Sequence, residues 1–428
     1  MFCAEPAVQP GSRLRKPLQT KAGGWRFNTM VYASRHGKKA ARRCRTVRVT
    51  AVILFALLAW IPALSADEHP FLPGSTRAAG MGNTWVANTS PEDALFFNPA
   101  FLATEASRFT AIRLRAAANG DGMDLLFGQE GKDIQKWGGH DPHAGETPVA
   151  FTQRMSKFDA LYGHSGPLFL AYKGEGFGIG LYSSSHGEFA AQDGQTVTFK
   201  HDFDVGGIAG LAFRINLDRE KRQRLMFGAN VKYLIRVRHE ADALPLTESA
   251  GLVQPLAFSG DFRIGQAIGS DLAGVWQSPN LALGLAVYDW FGTTLSWAAY
   301  NGGFEGLDKQ LADTHINPNL GIGIAWTPDA VFGIPSYILS GVQFALDVRG
   351  FFETHDSFFK MLHAGFESVL LRLITLRAGV NAGSLTGGVG IVLFDALYFD
   401  YALSTEERPF FSRRDPPQMH TLSFSVVL

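Results

Sequence analysis

The sequence predicts an all-β fold, a transmembrane antiparallel β-barrel of about 14 strands, and three observations predict it. Fourteen short segments alternate in period two between apolar residues and glycine or polar residues. Each is near ten residues, the length a tilted strand needs to cross an outer membrane. The chain also opens on an export-type leader and ends on an alternating apolar strand.

Charge separates the leader from the body. Twelve Lys/Arg precede Val49 against the single acid Glu5, which leaves 27 basic and 38 acidic residues of the 39 of each sign. An acidic body does not suit nucleic acid, whose phosphates need a basic surface, so no nucleic-acid partner is expected. Arg42 to Arg48 is followed by "VTAVILFALLAWIPALSA", Val49 to Ala66, without a charge. A basic run, an apolar run and small residues at Ala63, Ser65 and Ala66 are the layout of a signal peptide, with cleavage expected after Ser65 or Ala66. A retained anchor helix is the alternative, because 18 apolar residues just span a bilayer. The first 45 residues are long for a basic leader, so a start at Met30 or later is the second candidate. Both cysteines, Cys3 and Cys44, fall in the leader, so the mature chain offers no disulfide, thiolate metal ligand or cysteine nucleophile. The expected organisation is leader 1–66, an N-terminal element 67–107 and a barrel 108–428.

Past Asp67 no uncharged run reaches 18 residues, and the longest, such as Leu272 to Tyr288 and Ala378 to Phe394, are interrupted by glycine, proline or polar residues, which argues against a polytopic helical membrane protein. The strand segments start near Arg108, Gly166, Gly176, Gly206, Arg224, Gly269, Leu281, Asn319, Gly341, Met361, Thr375, Leu385, Ala396 and His420. In "GFGIGLYSSS", Phe177, Ile179 and Leu181 fall on one face, with Gly178, Gly180 and Tyr182 on the other. Short connectors such as "SPN", Ser278 to Asn280, alternate with long polar loops such as 128–146 and 301–315. Trp276, Tyr288, Trp290, Trp297, Trp326, Tyr398 and Tyr401 lie at strand ends, where interfacial girdles would place them. At the C-terminus Leu422, Phe424, Val426 and Leu428 form one apolar face, which closes a barrel and faces lipid.

Motifs that suggest chemistry have plainer readings. "GFGIG" and "GGVGIV" lack the full nucleotide-loop spacing and open no helix, so they read as strand glycines of a crowded wall. "GHSGP", Gly163 to Pro167, has its second glycine one position early for a nucleophile elbow. "HDPH", His140 to His143, sits in a polar loop without a further ligand at metal spacing. No cofactor, no metal and no enzymatic activity are expected.

The element before the first strand is compact. Ser90 suits an N-cap, Pro91 the first helical position, and Glu92 and Asp93 the positive end of a helix running through Phe97. Asn98 and Pro99 repeat the cap and start for a second turn through Ala100 to Ala103. Leu95, Phe96, Phe97, Phe101 and Leu102 then need burial, and so small a piece cannot fold alone, so it must pack on a barrel wall.

At these residues the sequence resembles the FadL-like outer-membrane barrels, which include long-chain fatty acid transporters and the related PorV-type and spirochaete barrels. The resemblance rests on Gly74 to Gly82 ("GSTRAAGMG", with Gly80 and Gly82), the acidic turn Ser90 to Ala94, and Asn98-Pro99-Ala100. A glycine-rich hairpin pattern in the C-terminal third adds to it. It implies a 14-stranded barrel in the outer membrane of a diderm bacterium, carrying an N-terminal hatch in the lumen. It implies hydrophobic molecules such as fatty acids as ligands, outer-membrane lipids as surroundings and the barrel assembly machinery as a partner. By position, Phe71 and Leu72 would probe the ligand, while Asn98 and Pro99 would anchor the hatch. The PorV-type alternative is a scaffold or shuttle with an exported protein as partner.

Overall fold

The computed structural model describes residues 73–128, 158–192, 196–218, 220, 222–245, 262–300, 309–329, 335, 338–351, 358–405 and 417–428. The leader with Cys3 and Cys44, the probing pair Phe71 and Leu72, and the "HDPH" loop lie outside the described residues.

Strands β1 (Arg108–Asn119), β2 (Asp159–Lys173), β3 (Phe177–Gln192), β4 (Thr196–Asn216), β5 (Arg224–Pro245) and β6 (Phe262–Gln277) follow one another as antiparallel neighbours. β7 runs in two pieces, Leu281–Tyr288 and Thr293–Tyr300, both paired to β6. Between them Asp289 at φ 47° and Gly292 at φ 75° turn the chain out of the ladder. β8 runs in three pieces, Lys309–Gln310, Thr314–Ile316 and Asn319–Trp326, along β7. β9 (Leu339–Arg349), β10 (Leu362–Leu370), β11 (Ile374–Asn381), β12 (Ser384–Leu393), β13 (Leu397–Thr405) and β14 (Gln418–Val427) complete the wall. β14 then pairs with β1, from Thr110↔Val427 to Asn119↔Met419, so the sheet closes on itself. The result is a closed antiparallel barrel of fourteen staves, and each predicted segment lies in one of them. Closure leaves no unpaired edge, which is what allows a sheet to sit in lipid.

The wall is polarised as the alternation requires. Phe177, Ile179 and Leu181 are exposed outward while Gly178, Gly180 and Tyr182 are buried, and the same rule places Leu211, Phe213 and Ile215 outside. Leu422 and Leu428 are exposed on β14 and after it, while Ser425 and Val427 are buried on the opposite face. Among the described residues no helix is long and apolar enough to cross a membrane.

The structure departs from the expected strand lengths. β10 to β13 have 8 to 10 residues, but β2 to β5 have 15 to 22. The extensions carry His201, Asp202, Arg238 and His239, where apolar alternation has stopped but backbone pairing continues. Two girdle assignments are also corrected. Tyr288 and Trp297 are buried, with the Tyr288 hydroxyl donating to the Phe97 carbonyl and Trp297 donating to Thr314, because each indole or phenol finds a polar partner on the inner side. "GHSGP" forms part of β2, not a strand-to-helix elbow; "GFGIG" runs from the turn residue Gly176 into β3, and "GGVGIV" lies within β12.

Candidate functional site in the lumen and wall

Residues 73–107 pack inside the closed wall, because they touch strands on opposite sides of it. Helix α1 (Thr76–Gly80) rests on β11, β12 and β13, while the 3₁₀ helix Pro99–Ala103 rests on β3 to β6. Ser75 caps α1 by accepting from the Ala78 amide at 3.3 Å, and the small residues Ala78, Ala79 and Gly80 allow close approach. A Cβ on Gly80 would come within 3.2 Å of the Gly388 Cα on β12. Gly82, at φ +66°, would drive a Cβ into the carbonyls of Ala364 and Val380.

Asn98 is fully buried and ties two strips of the segment together. Its Oδ1 accepts from the Ala100 amide at 3.0 Å, capping the 3₁₀ helix that Pro99 starts, and its Nδ2 donates to the Val86 carbonyl at 2.6 Å. Leu95, Phe96, Phe97, Phe101 and Leu102 are all buried. Phe96 meets Phe169 at 5.4 Å and Tyr182 at 5.8 Å, and Phe97 meets Trp85 at 5.2 Å.

The acidic turn behaves differently from its sequence reading. Helix α2 is short, Ala94–Phe97, and begins after a turn over residues 91–93. Ser90 contributes its carbonyl to the Asp93 amide, and its buried hydroxyl has no hydrogen-bond partner. Asp93 does not cap the helix with its side chain. It accepts from the Ser75 hydroxyl at 2.7 Å and from Arg113 of β1 at 2.7 Å, a longer-range pairing that outweighs a local cap. Glu92 stands beside it, and burial together with the Asp93 charge raises its carboxyl above the ordinary range, against Arg113 and Arg77.

Glycines on the inner wall form the cradle. A Cβ at Gly228 of β5 would strike the Pro99 carbonyl, and one at Gly284 of β7 the Val86 carbonyl. At Gly365 of β10 it would strike the Met81 carbonyl, and at Gly379 of β11 the Gly82 amide. These glycines are where the segment's backbone meets the wall's; the sequence reading of strand glycines in a crowded wall covers "GFGIG" and "GGVGIV" and does not single out these four.

Charged side chains then fasten it. Arg77 donates through Nε and Nη2 to both carboxylate oxygens of Glu367 on β10, each at 2.9 Å, and also reaches Gln343 and the Asn88 carbonyl. Glu367 in turn accepts from Arg377 of β11 at 2.8 Å, and Arg377 donates to Asp400 of β13 at 2.5 Å. Burial opposes the Arg77 charge, but Glu367 more than reverses that and raises the guanidinium pKa further. On the neighbouring strand β9, Asp347 accepts from the amides of Trp85 and Val86 at 2.7 and 2.9 Å, and Arg349 lies 3.6 Å over the Trp85 ring. Sequence reasoning named none of Arg113, Asp347, Glu367, Arg377 and Asp400. The available signal was a charge at an inward position of an otherwise apolar strand.

The inner faces of β4 to β7 carry a second set of buried pairs: Arg236 with Asp204 at 2.8 Å, Arg238 with Asp202 at 2.7 Å, and Lys232 with Asp271 and Asp289 at 2.7 and 3.0 Å.

Among the places where the ladder's pairing is irregular, one lies between β1 and β2. Pairing of β1 with β2 passes from Thr110↔Ala171 directly to Arg115↔Ser165, and β2 shifts register against β3 between Ser165 and Phe169. Beside this break lies a groove of about 640 Å³ lined by Leu114, Pro167, Ile391, Phe399, Leu422 and Phe424 among others. Leu114, Ile391, Phe399 and Leu422 are outward-facing and exposed, so the groove opens on the apolar side of the wall. Behind it a small cavity of about 40 Å³ is lined by Arg77, Glu92, Asp93 and Arg113, and Arg115, Asp400 and Ser423 border both spaces.

Three solved structures are similar to this fold. The Pseudomonas putida toluene transporter TodX matches at 14% identity over 83% of this chain and 98% of its own, with a TM-score of 0.43. The Ralstonia pickettii toluene transporter TbuX matches at 14% over 83% and 98%, TM-score 0.40. A Pseudomonas aeruginosa FadL homologue matches at 12% over 85% and 99%, TM-score 0.38. No family model and no curated protein matches the sequence.

Proposed function

We propose that this protein is a FadL-like channel of a diderm outer membrane, taking up hydrophobic molecules passively, with residues 67–107 as its hatch. The observation that carries the reading is the pairing of a lumen filled by the N-terminal segment with an apolar groove at a break in the wall. A general porin needs an open aqueous lumen; here the segment reaches from β3–β6 to β11–β13. A hydrophobic solute has no stable path through water, and apolar surface offers it about 25 cal/mol per Å² buried. The β1–β2 break is the candidate point where such a solute leaves the lumen for the membrane. Long-chain fatty acids and small aromatic hydrocarbons are the ligand classes to test first.

The test is saturable binding and vesicle uptake of a labelled fatty acid and of toluene by the purified barrel, beside a form lacking 67–103. Binding that saturates in the full barrel, and leakage of small hydrophilic solutes only in the shortened form, are expected. A full barrel with no saturable binding that instead co-purifies with a secreted protein would replace the channel reading with the PorV-type scaffold.

A further inference from the structure

Four residues that carry side chains turn the chain left-handed at two adjacent hairpins. Leu371 and Arg372 join β10 to β11 at φ 50° and 56°, and Phe394 and Asp395 join β12 to β13 at φ 56° and 55°. Two-residue turns of this hand favour Asn-Gly, because a Cβ makes left-handed backbone costly. Here the first position of each turn is instead a large apolar residue, 61% exposed at Leu371 and 90% exposed at Phe394. Nothing in the described chain covers them.

The two tips belong to a continuous rim. The Leu371 amide donates to the Ile338 carbonyl, Val392 to Leu373, Val427 to Ala396, and Phe109 and Leu428 bond reciprocally, so neighbouring strand ends are locked side by side. Ile338, Leu373, Phe109 and Leu428 are exposed as well. The β4–β5 turn at the same end of the barrel is charged: Asp218 accepts from two amides, and Glu220 pairs with Arg222 in the open.

Strand length explains the contrast. With 8 to 10 residues, β10 to β13 rise about 20 to 25 Å once tilted, no more than the ~25 Å apolar band of an outer-membrane barrel. On this sector the strands alone leave nothing to spare, so the turns complete the band. The exposed residues Leu376, Ile391 and Phe399 on the same strands run directly into the tips. We propose that the β9–β14 rim, with Leu371 and Phe394 at its tips, is immersed at the acyl–headgroup boundary of the membrane, with Arg372 and Asp395 reaching to the headgroups. This rests on the membrane reading above and adds where the barrel sits in the bilayer.

The test uses the full chain with Cys3→Ser and Cys44→Ser, and single cysteines Phe394→Cys, Leu371→Cys, Glu220→Cys and Phe399→Cys carrying a nitroxide. The barrel is folded into phosphatidylethanolamine and phosphatidylglycerol vesicles, with heat-modifiable gel mobility as the folding check. Collision with oxygen relative to a water-soluble nickel complex should be several-fold higher at 394, 371 and 399 than at 220. Labels at 394 and 371 that match 220 while 399 stays oxygen-rich would overturn the immersed rim alone. A nickel-accessible label at 399 would remove the membrane reading and the rim with it. Phe394→Trp keeps an aromatic tip, and quenching by brominated acyl chains is expected there; quenching by aqueous acrylamide instead overturns the proposal.

Discussion

Arg77 in the N-terminal segment and Glu367 on β10 form a two-bond ion pair across 290 positions of sequence, with both oxygens at 2.9 Å. The pair is largely buried and continues into Arg377 and Asp400, so the segment and three strands share one charge network. Removing one partner leaves an uncompensated charge.

Arg77→Ala should therefore cost about 3 to 5 kcal/mol, the usual penalty for breaking a buried pair. Thermal unfolding in detergent measures it, and limited proteolysis should cut the N-terminal segment earlier than in the parent. Glu367→Gln keeps hydrogen-bond acceptance and should cost less than Glu367→Ala.

The glycine cradle makes a positional prediction. Gly228→Val and Gly284→Val should push the backbone at Pro99 or Val86 off the wall, destabilising by about 1 to 3 kcal/mol and raising single-channel conductance. Gly207→Ala on the outer face, where a Cβ meets the Leu181 side chain at 3.4 Å and the Gly180 carbonyl at 4.0 Å, both ordinary contacts, should leave both unchanged.

Asn98→Ala removes a cap and leaves the Val86 carbonyl without its donor. A cap contributes about 1 kcal/mol and a buried orphan acceptor about 1 to 3 kcal/mol, so a loss near 2 to 4 kcal/mol is expected in chemical unfolding. Asn98→Asp keeps the cap acceptor but sets a buried carboxylate oxygen against the Val86 carbonyl, and should cost at least as much as Asn98→Ala at neutral pH.

Glu92 gives a pH dependence. Its folded-state pKa is raised above the ordinary 4.5, so between that value and the raised one the folded chain binds more protons than the unfolded chain. Stability contributed by this group is complete below 4.5 and is lost as pH rises through the raised value. Glu92→Gln should therefore be more stable than the parent at pH 7, with the difference vanishing toward acid. A difference curve that stays flat from pH 4 to 8 would remove Glu92 as its source.

Much of the barrel was legible because the signal is local. Alternation such as Phe177-Gly178-Ile179-Gly180-Leu181 reports which way each side chain points without knowledge of any other strand, and all fourteen staves were found this way. Strand ends were less legible: at His201 and His239 the alternation fades while the ladder goes on, because backbone pairing is indifferent to side-chain polarity. Tyr288 and Trp297 were misread for a related reason, since position near a strand end does not tell inside from outside.

By itself the sequence determined the closed-barrel class, the number of staves, the outward apolar faces and the Asn98-Pro99 turn. Each depends on residues within about ten positions of one another, through backbone geometry and side-chain period. Only the tertiary structure decided that Arg77 meets Glu367, that Asp93 serves Arg113 instead of a helix end, and that Gly228 and Gly284 receive the backbone of a segment more than a hundred residues earlier. Those partners are set by the register with which fourteen strands close, and a register is a property of the closed sheet that no local run of residues contains.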